Sequence, residues 1–526
     1  MTERPSFILF MADQLRADHL GCYGNGAVRT PGIDALAGQG WLAERFHAAS
    51  PVCMPNRATL VTGRMPSLHG VRGNGYGLPL RANTFVEVLR RAGYRTALVG
   101  KSHLQNITGA PPLLPRDPAA RASGEAMQPE SGRYDQESAP LWRRDPGCDV
   151  ELPYYGFDTV RLSIGHGDDQ EGHYRRWLRS QRADADTLIG PANALPTPEI
   201  ELSRCGQAWR TRLPEALYPT SWCADEAIAC LEAFARADAP FFLWCSFPDP
   251  HHPFTPPGRY WSMHRPEDVK LPRSFDMPHQ RAPRQVRLLW QESDEGRARK
   301  DTPDAFACTE REAREAIALT FGMIACIDDA IGRVIEALSR LGLAGNTVVA
   351  LTSDHGDLMG EHQLLLKSPI HYRGMLRVPF VWRDPAISGS RRSDALCGTL
   401  DVARTVLERA GLPAYNGTQG VSLLPLIEGS SRSVREALLV EQESQRQIPG
   451  FAPPMRMRSL VTARHRLTVY EEHGEGELYD LQADPDELDN LWDAPEQAAA
   501  RSELLDTLVR AMIAHGETSP FPSARA

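Results

Sequence analysis

The sequence predicts an α/β protein with a smaller α+β unit at its C-terminal end, on three observations. Short apolar runs end in clusters of polar residues, helical patterns separate those runs, and beyond about residue 455 the chain turns to alternating strands and a closing helix. At 526 residues it is too long for one minimal domain, so a large unit over 1–415 and a small one over 416–526 are expected.

Four runs carry the strand reading. Residues 7–11 lead into Asp13 and Gln14, 96–99 into Lys101 and His103, 241–247 into Asp249 and His251, and 347–351 into Asp354 and His355. Runs this apolar and this short fit strands of a sheet covered on both faces. Between them, residues 310–341 repeat apolar side chains every three and four positions, and 401–410 does the same before Gly411. Sheets built this way bind ligands outside the carboxyl ends of their strands, and all four polar clusters fall on that edge. Segments 104–150, 180–215 and 255–305 are rich in Pro and Arg without a clear period, and are expected as insertions walling a pocket. Prolines and glycines punctuate 412–455, including Pro449 and Pro453. SLVTARHRLTVY, the turn EEHGEGE and LYDL then read as antiparallel strands before a helix over 495–515.

Composition excludes several classes. Lys plus Arg is 58 and Asp plus Glu 67, a net charge of −9 with no long basic run, so nucleic acid is not the expected partner. No apolar stretch approaches the roughly 20 residues that span a bilayer, and the N-terminal run reads as a strand running into acid. A cytoplasmic protein without a membrane partner is expected, and a homo-oligomer is compatible with the sequence. The ten cysteines include no CxxC pair, which leaves out zinc ribbons and thioredoxin-type chemistry. Most are expected as reduced, buried thiols.

Cys53 stands apart. In Ser50-Pro-Val-Cys-Met-Pro-Asn-Arg-Ala-Thr-Leu-Val-Thr-Gly-Arg64, Pro55 suits the first turn of a helix and Gly63 its end. Cys53 would then sit at the positive N-terminus, with Arg57 one turn on along the same face. A side chain there can attack an oxyanion ester while the helix end and the guanidinium hold its charge.

The stretch from Cys53 to Arg57, extended by Thr62-Gly63-Arg64, resembles the signature of the type I sulfatases of the alkaline phosphatase superfamily. MADQLRADHLGCYGN, LVGKSH, PDPHHPF, TSDHGDLMGEH, LRVPF and ELYDLQADPDELDNL follow in that family's order over nearly the whole chain. The resemblance implies a large mixed, mostly parallel sheet flanked by helices, and a sulfuric ester hydrolase acting on a sulfated small molecule or saccharide. It also implies that a maturation enzyme oxidises Cys53 to Cα-formylglycine, whose hydrate is the nucleophile. In such an enzyme one hydroxyl attacks sulfur, and loss of a proton from the second releases sulfate and restores the aldehyde.

The remaining candidates follow. Asp13, Gln14, Asp354 and His355 bring two carboxylates, an amide oxygen and an imidazole to two strand ends, a set suited to one divalent cation, with the Cys53 side chain beside it. The family carries calcium or a similar ion; because Gln14 and His355 stand where many relatives have Asp and Asn, manganese is the alternative. By resemblance, His103 assists the second hydroxyl and Lys101 holds the aldehyde and sulfate oxygens. His251 and Lys367 bind the sulfate and protonate the departing oxygen. His252 is a neighbour that competes with His251 for that place. Asn74, on a glycine-flanked loop, is a candidate for reaching the pocket, and His371 and Arg373 for reading substrate or supporting their loop. Arg161, Arg175, Arg176 and Arg179 near Trp177 suit either an anionic substrate or a solvated helix. A formylglycine-dependent phosphonate monoester or phosphodiester hydrolase is the alternative activity, since that sister group shares the Gln14 and His355 variants but tends to have uncharged hydroxyl residues at Lys101 and His103. A non-catalytic binding protein would require a missing nucleophile or ligand, and none is missing.

Overall fold

The computed structural model describes residues 4–525 apart from 115–125, 127–129, 280, 447, 449–450, 453 and 473. Much of the proline-rich centre of the first insertion, together with Pro449 and Pro453, therefore lies outside the described residues.

Among the described residues, fifteen strands appear in chain order: β1 Ser6–Ala12, β2 Trp41–His47, β3 Arg95–Gly100, β4 Thr159–His166, β5 Asp169–Gly172, β6 Phe241–Phe247, β7 Phe306–Ala307, β8 Thr347–Ser353, β9 Leu364–Leu365, β10 Phe380–Arg383, β11 Arg391–Gly398, β12 Ala437–Ser444, β13 Met455–Thr462, β14 His465–Tyr470 and β15 Gly476–Asp480. Nine form one sheet in the order β11-β2-β10-β8-β1-β6-β3-β4-β5. Only β5 and β10 run against the others, so the sheet is mixed and mostly parallel.

The central strand β1 shows why the runs are unbroken in hydrophobicity. Successive side chains point to opposite faces, so Ile8 and Phe10 enter one core and Phe7, Leu9 and Met11 the other. Helices Pro219–Phe234 and Glu310–Arg340 cover the first face. Helices Cys53–Thr62, Phe85–Arg91 and Val402–Arg409 cover the second. The helix Glu310–Arg340 begins with a capping box, Thr309 Oγ1 accepting from the Glu312 N–H at 3.2 Å and the Glu312 carboxylate from the Thr309 N–H at 2.8 Å.

The second sheet is an antiparallel meander, β12-β13-β14-β15, closed by helix Ala498–Ala514. It packs through Leu438, Val440 and Val461 against Leu396 of β11 and Leu376 of the short helix before β10. Strand β12 was not expected, because the prolines and glycines around it masked its short apolar stretch. The 255–305 segment also departs from a plain insertion: it contains helix Arg284–Asp294, whose Val286 and Leu289 are buried at helical spacing. Among the described residues, no helix is long and apolar enough to cross a membrane.

Candidate active site

The parallel strands bring their carboxyl ends to one edge, so residues far apart in sequence meet there. β1 delivers Asp13 and Gln14, β8 delivers Asp354 and His355, β3 Lys101 and His103, β4 His166, and β6 Asp249, His251 and His252. Strand register fixes the approach: Gly100 has φ +94°, and a Cβ there would lie 1.9 Å from the Ser246 carbonyl oxygen, so only glycine passes this turn into Lys101. Gln14 and His103 are held at φ +65° and +56°, conformations that cost a non-glycine residue about 1 kcal/mol or more and persist where surrounding contacts fix them.

The nucleophile candidate arrives differently. After β2 the chain turns into helix Cys53–Thr62, which starts at Cys53 and ends at Gly63 with φ +61°. Cys53 is 1% exposed. Its Sγ lies 3.0 Å from His355 Nε2, 3.3 Å from Lys367 Nζ and 3.7 Å from Asp13 Oδ1. Burial and the Asp13 carboxylate oppose its ionisation, but Lys367, Lys101 and His355 outweigh them and hold the thiol well below its usual range.

Two buried carboxylates flank this point. Asp13 receives the Lys101 ammonium on Oδ2, and Asp354 receives Arg57 Nε at 2.7 Å and the Gln14 and His355 N–H groups at 3.0 and 2.9 Å. Desolvation would raise Asp13, yet Lys101 and Arg57 keep it well below the usual carboxylate range. The His355 Nδ1 pairs with the Gly356 carbonyl at 2.8 Å, which leaves Nε2 facing Asp13, Asp354 and Cys53. The oxygen, nitrogen and sulfur atoms of these four residues lie within 4.8 Å of one another, a donor set that fits one divalent cation. Gln14 reaches the same place, its Oε1 accepting from Lys367 Nζ at 2.9 Å and its Nε2 donating to His252 Nδ1 at 3.2 Å and to Asp357.

Lys367 Nζ also lies 2.7 Å from His251 Nε2 and 3.2 Å from His355 Nε2, so it bridges the Cys53 side and the His251 side. Above them opens a cavity of about 410 Å³ lined by Cys53, Asn74, His103, His166, His251 and Lys367, with Gln207, Thr302 and Arg446 at its wall. Insertions 180–215 and 255–305 thus supply part of the wall. Burial holds His103 at about 4, and burial with neighbouring cations holds His166, His251 and His252 well below the normal histidine value, so these rings are neutral near neutral pH.

Two candidates, Arg57 and His371, sit elsewhere than expected, and Asn74 has a second partner besides the cavity. Arg57 is fully buried, bound to Asp354, the Lys101 carbonyl and Ser246 Oγ, each at 2.7–2.8 Å; the buried carboxylate draws the guanidinium inward, away from the cavity. Asn74 lines the cavity as expected, and its Oδ1 also accepts the Met54 N–H at 3.2 Å, capping the helix that begins at Cys53. His371 does not line the cavity: fully buried, its nitrogens pair with Ser459 Oγ at 2.7 Å and Gln442 Oε1 at 2.8 Å, tying its loop to the second sheet. The arginines near Trp177 are likewise spent on other partners: Arg161 on Glu226, Arg175 and Arg179 on Asp186, and Arg176 on the Trp142 ring. Arg373 presents its N–H to Glu487 and lies away from this cavity.

Sequence reasoning missed His166, which stacks on His251 with ring centroids 3.7 Å apart and places Nε2 2.7 Å from Lys101 Nζ. Its strand left a local trace, the alternating Val160, Leu162 and Ile164 before a closing histidine, but nothing local names the neighbour it meets. Asn56 and Asp357 were also missed, although both lie inside quoted motifs; Asn56 Oδ1 accepts from the Ala49 N–H at 3.1 Å and Thr399 Oγ1 at 2.7 Å, bracing the helix start.

Comparison with known proteins agrees with this arrangement. The "Sulfatase" family model matches residues 5–412, and "N-sulphoglucosamine sulphohydrolase, C-terminal" matches 360–513. An arylsulfatase of Clostridium perfringens is 28% identical over 506 residues, 94% of this chain and 91% of its own. An N-acetylglucosamine-6-O-sulfatase of Bacteroides thetaiotaomicron is 23% identical, covering 99% and 88%. Among solved structures, a phosphonate monoester hydrolase of Agrobacterium radiobacter superposes with a TM-score of 0.75 at 27% identity, covering 98% of this chain and 97% of that one. With the helix that begins at Cys53 and with two carboxylates and several histidines on one sheet edge, the chain belongs to the sulfatase family and is a sulfatase enzyme.

Proposed function

We propose that the protein hydrolyses sulfate monoesters of a small molecule or saccharide through a formylglycine derived from Cys53. The carrying observation is the position of the Cys53 side chain, at a helix N-terminus and within 3.0–3.7 Å of His355, Lys367 and Asp13. The hydrate of such an aldehyde supplies two hydroxyls on one carbon, one to attack sulfur and one whose deprotonation lets sulfate leave. Asp13, Gln14, Asp354 and His355 are the residues that would hold the cation, calcium or manganese, whose charge lowers the pKa of a hydroxyl beside it. The imidazole nitrogen favours manganese more than an all-oxygen cage would.

The chain's own groups divide the work. Arg57 pairs with Asp354 and Lys101 with Asp13, and the two cations hold the buried Asp13 carboxyl well below its usual range. Lys367 and His251, 2.7 Å apart, offer donors to sulfate oxygens and a proton to the departing alcohol. His103, neutral and lining the cavity, takes the proton of the second hydroxyl. His166 adds a ring face and a nitrogen beside Lys101. The division into units over 1–415 and 416–526 is part of the same reading, the second sheet buttressing the edge through His371.

A formylglycine-dependent phosphonate monoester hydrolase is the second reading, favoured by the 27% identical solved relative and by the Gln14 and His355 pair. Lys101 and His103 argue for sulfate. Two measurements decide. Mass spectrometry of the tryptic peptide 46–57, from a host with a maturation enzyme, is expected to show the aldehyde at position 53; intact thiol alone would remove the mechanism. Rates on aryl sulfate and aryl phosphonate esters are expected to favour sulfate, and faster phosphonate turnover would make the second reading correct.

A further inference from the structure

Residues 104–150 read in sequence as an insertion walling a pocket. One of them, Glu137, turns inward and is only 1% exposed. Four donors converge on its two carboxylate oxygens. Oε2 accepts the His103 N–H at 2.6 Å, and Oε1 accepts the Leu104 and Gln105 N–H groups at 3.0 Å each and the Tyr154 hydroxyl at 2.5 Å. Gln105 fastens the same turn from its side chain, its Oε1 accepting the Gln136 N–H at 3.0 Å and its Nε2 donating to the Arg133 carbonyl at 3.0 Å.

The turn so held carries His103 at φ +56°, outside the regions a histidine prefers. Among the described residues, the buried His103 Nδ1 has no hydrogen-bond partner. The ring hydrogen-bonds with the Cys53 side chain, and no described side chain orients it from Nδ1, so its aim is set from the backbone. We propose that Glu137 is a positioning residue for the sulfatase reaction, clamping the 103–105 backbone so that the His103 ring faces the Cys53 side chain. This rests on the role given to His103 above. It makes the insertion part of the catalytic frame as well as a wall.

Charge-assisted bonds to backbone N–H groups are strong and directional, and a misplacement of about 1 Å at a reacting group can cost on the order of a hundredfold in rate. The test is a double-mutant cycle with Glu137→Gln and His103→Ala, on aryl sulfate or whichever ester the wild type turns over. In Glu137→Gln, an amide whose oxygen kept the three bonds of Oε1 would turn its NH2 group toward the His103 N–H, so the variant is near-isosteric but unpins His103. Expected is a fall in kcat of roughly tenfold to a hundredfold with KM changed less than about threefold. In the His103→Ala background the same change is expected to cost almost nothing further. Additive losses, or a loss confined to KM, would overturn the proposal. The crystal structure of the Glu137→Gln protein gives a reading independent of substrate: His103 is expected to leave positive φ, and an unmoved His103 overturns the clamp even if the enzyme hydrolyses no sulfate. Tyr154→Phe, which removes one donor only, is the milder variant if the first folds poorly, with a smaller kcat loss that likewise disappears in the His103→Ala background and whose persistence there refutes the idea.

Discussion

Lys367→Met isolates the electrostatics of the site. The Lys367 Nζ stands 3.3 Å from Cys53 Sγ, at a position 8% exposed, with Gln14, His251 and His355 as its other partners. At that separation an ammonium and a thiolate attract by about 5 kcal/mol at an effective dielectric of about 20. Burial and Asp13 push the thiol the other way, so Lys367 is the leading group that keeps Cys53 ionisable. In unconverted protein without added metal, the variant is therefore expected to alkylate at Cys53 at least about tenfold more slowly near neutral pH, the two proteins converging in strong base. The assay is iodoacetamide labelling across pH, read at the Cys53 peptide by mass spectrometry, since nine other cysteines are present. Equal rates near neutral pH would refute the assignment of Lys367 as the controlling charge and shift it to Lys101. Lys367→Arg, which retains the cation, should label close to the wild-type rate.

Replacing His355 by Ala should weaken calcium and manganese binding, measured by titration calorimetry, at least about tenfold; unchanged affinity would place the cation elsewhere. His371→Leu is expected to lower stability to denaturant by about 1–3 kcal/mol through loss of its bonds to Ser459 and Gln442, while KM for every ester stays the same. A selective KM change would restore its substrate-reading role. Asp249 is fully buried and its carboxyl is pushed up to about 7, chiefly by desolvation against the bonds from Thr220 and Tyr218. Its native form holds a proton that the unfolded chain gives up near the ordinary carboxylate value, so its contribution to stability is lost as pH rises from about 4 to about 7. Asp249→Asn should therefore gain in relative thermal stability across that window, and a flat difference between variant and wild type would contradict the assignment.

Much of the site was legible because parallel sheets leave a plain mark. An unbroken apolar run followed by Asp, His or Lys marks a buried strand delivering polar groups to one edge, and Asp13, Lys101, His251 and Asp354 were readable on that ground. The signature from Cys53 to Arg57 and the glycine at 63 likewise fixed a helix start and stop through local backbone preferences. Residue type and spacing also determined that Gln14 and His355 accompany the carboxylates. What the sequence could not decide was direction. Arg57 faces Asp354 instead of the cavity, His371 faces the second sheet, and Asn74 caps a helix, since each buried polar group must satisfy its bonds with whichever partner the packing brings near. His166 reaches Lys101 only because β4 lies beside β3, and Glu137 meets the backbone of residues 103–105 only because the chain around it returns there. Those contacts span 65 and 34 positions, a range that no local pattern of hydrophobicity or turn residues encodes.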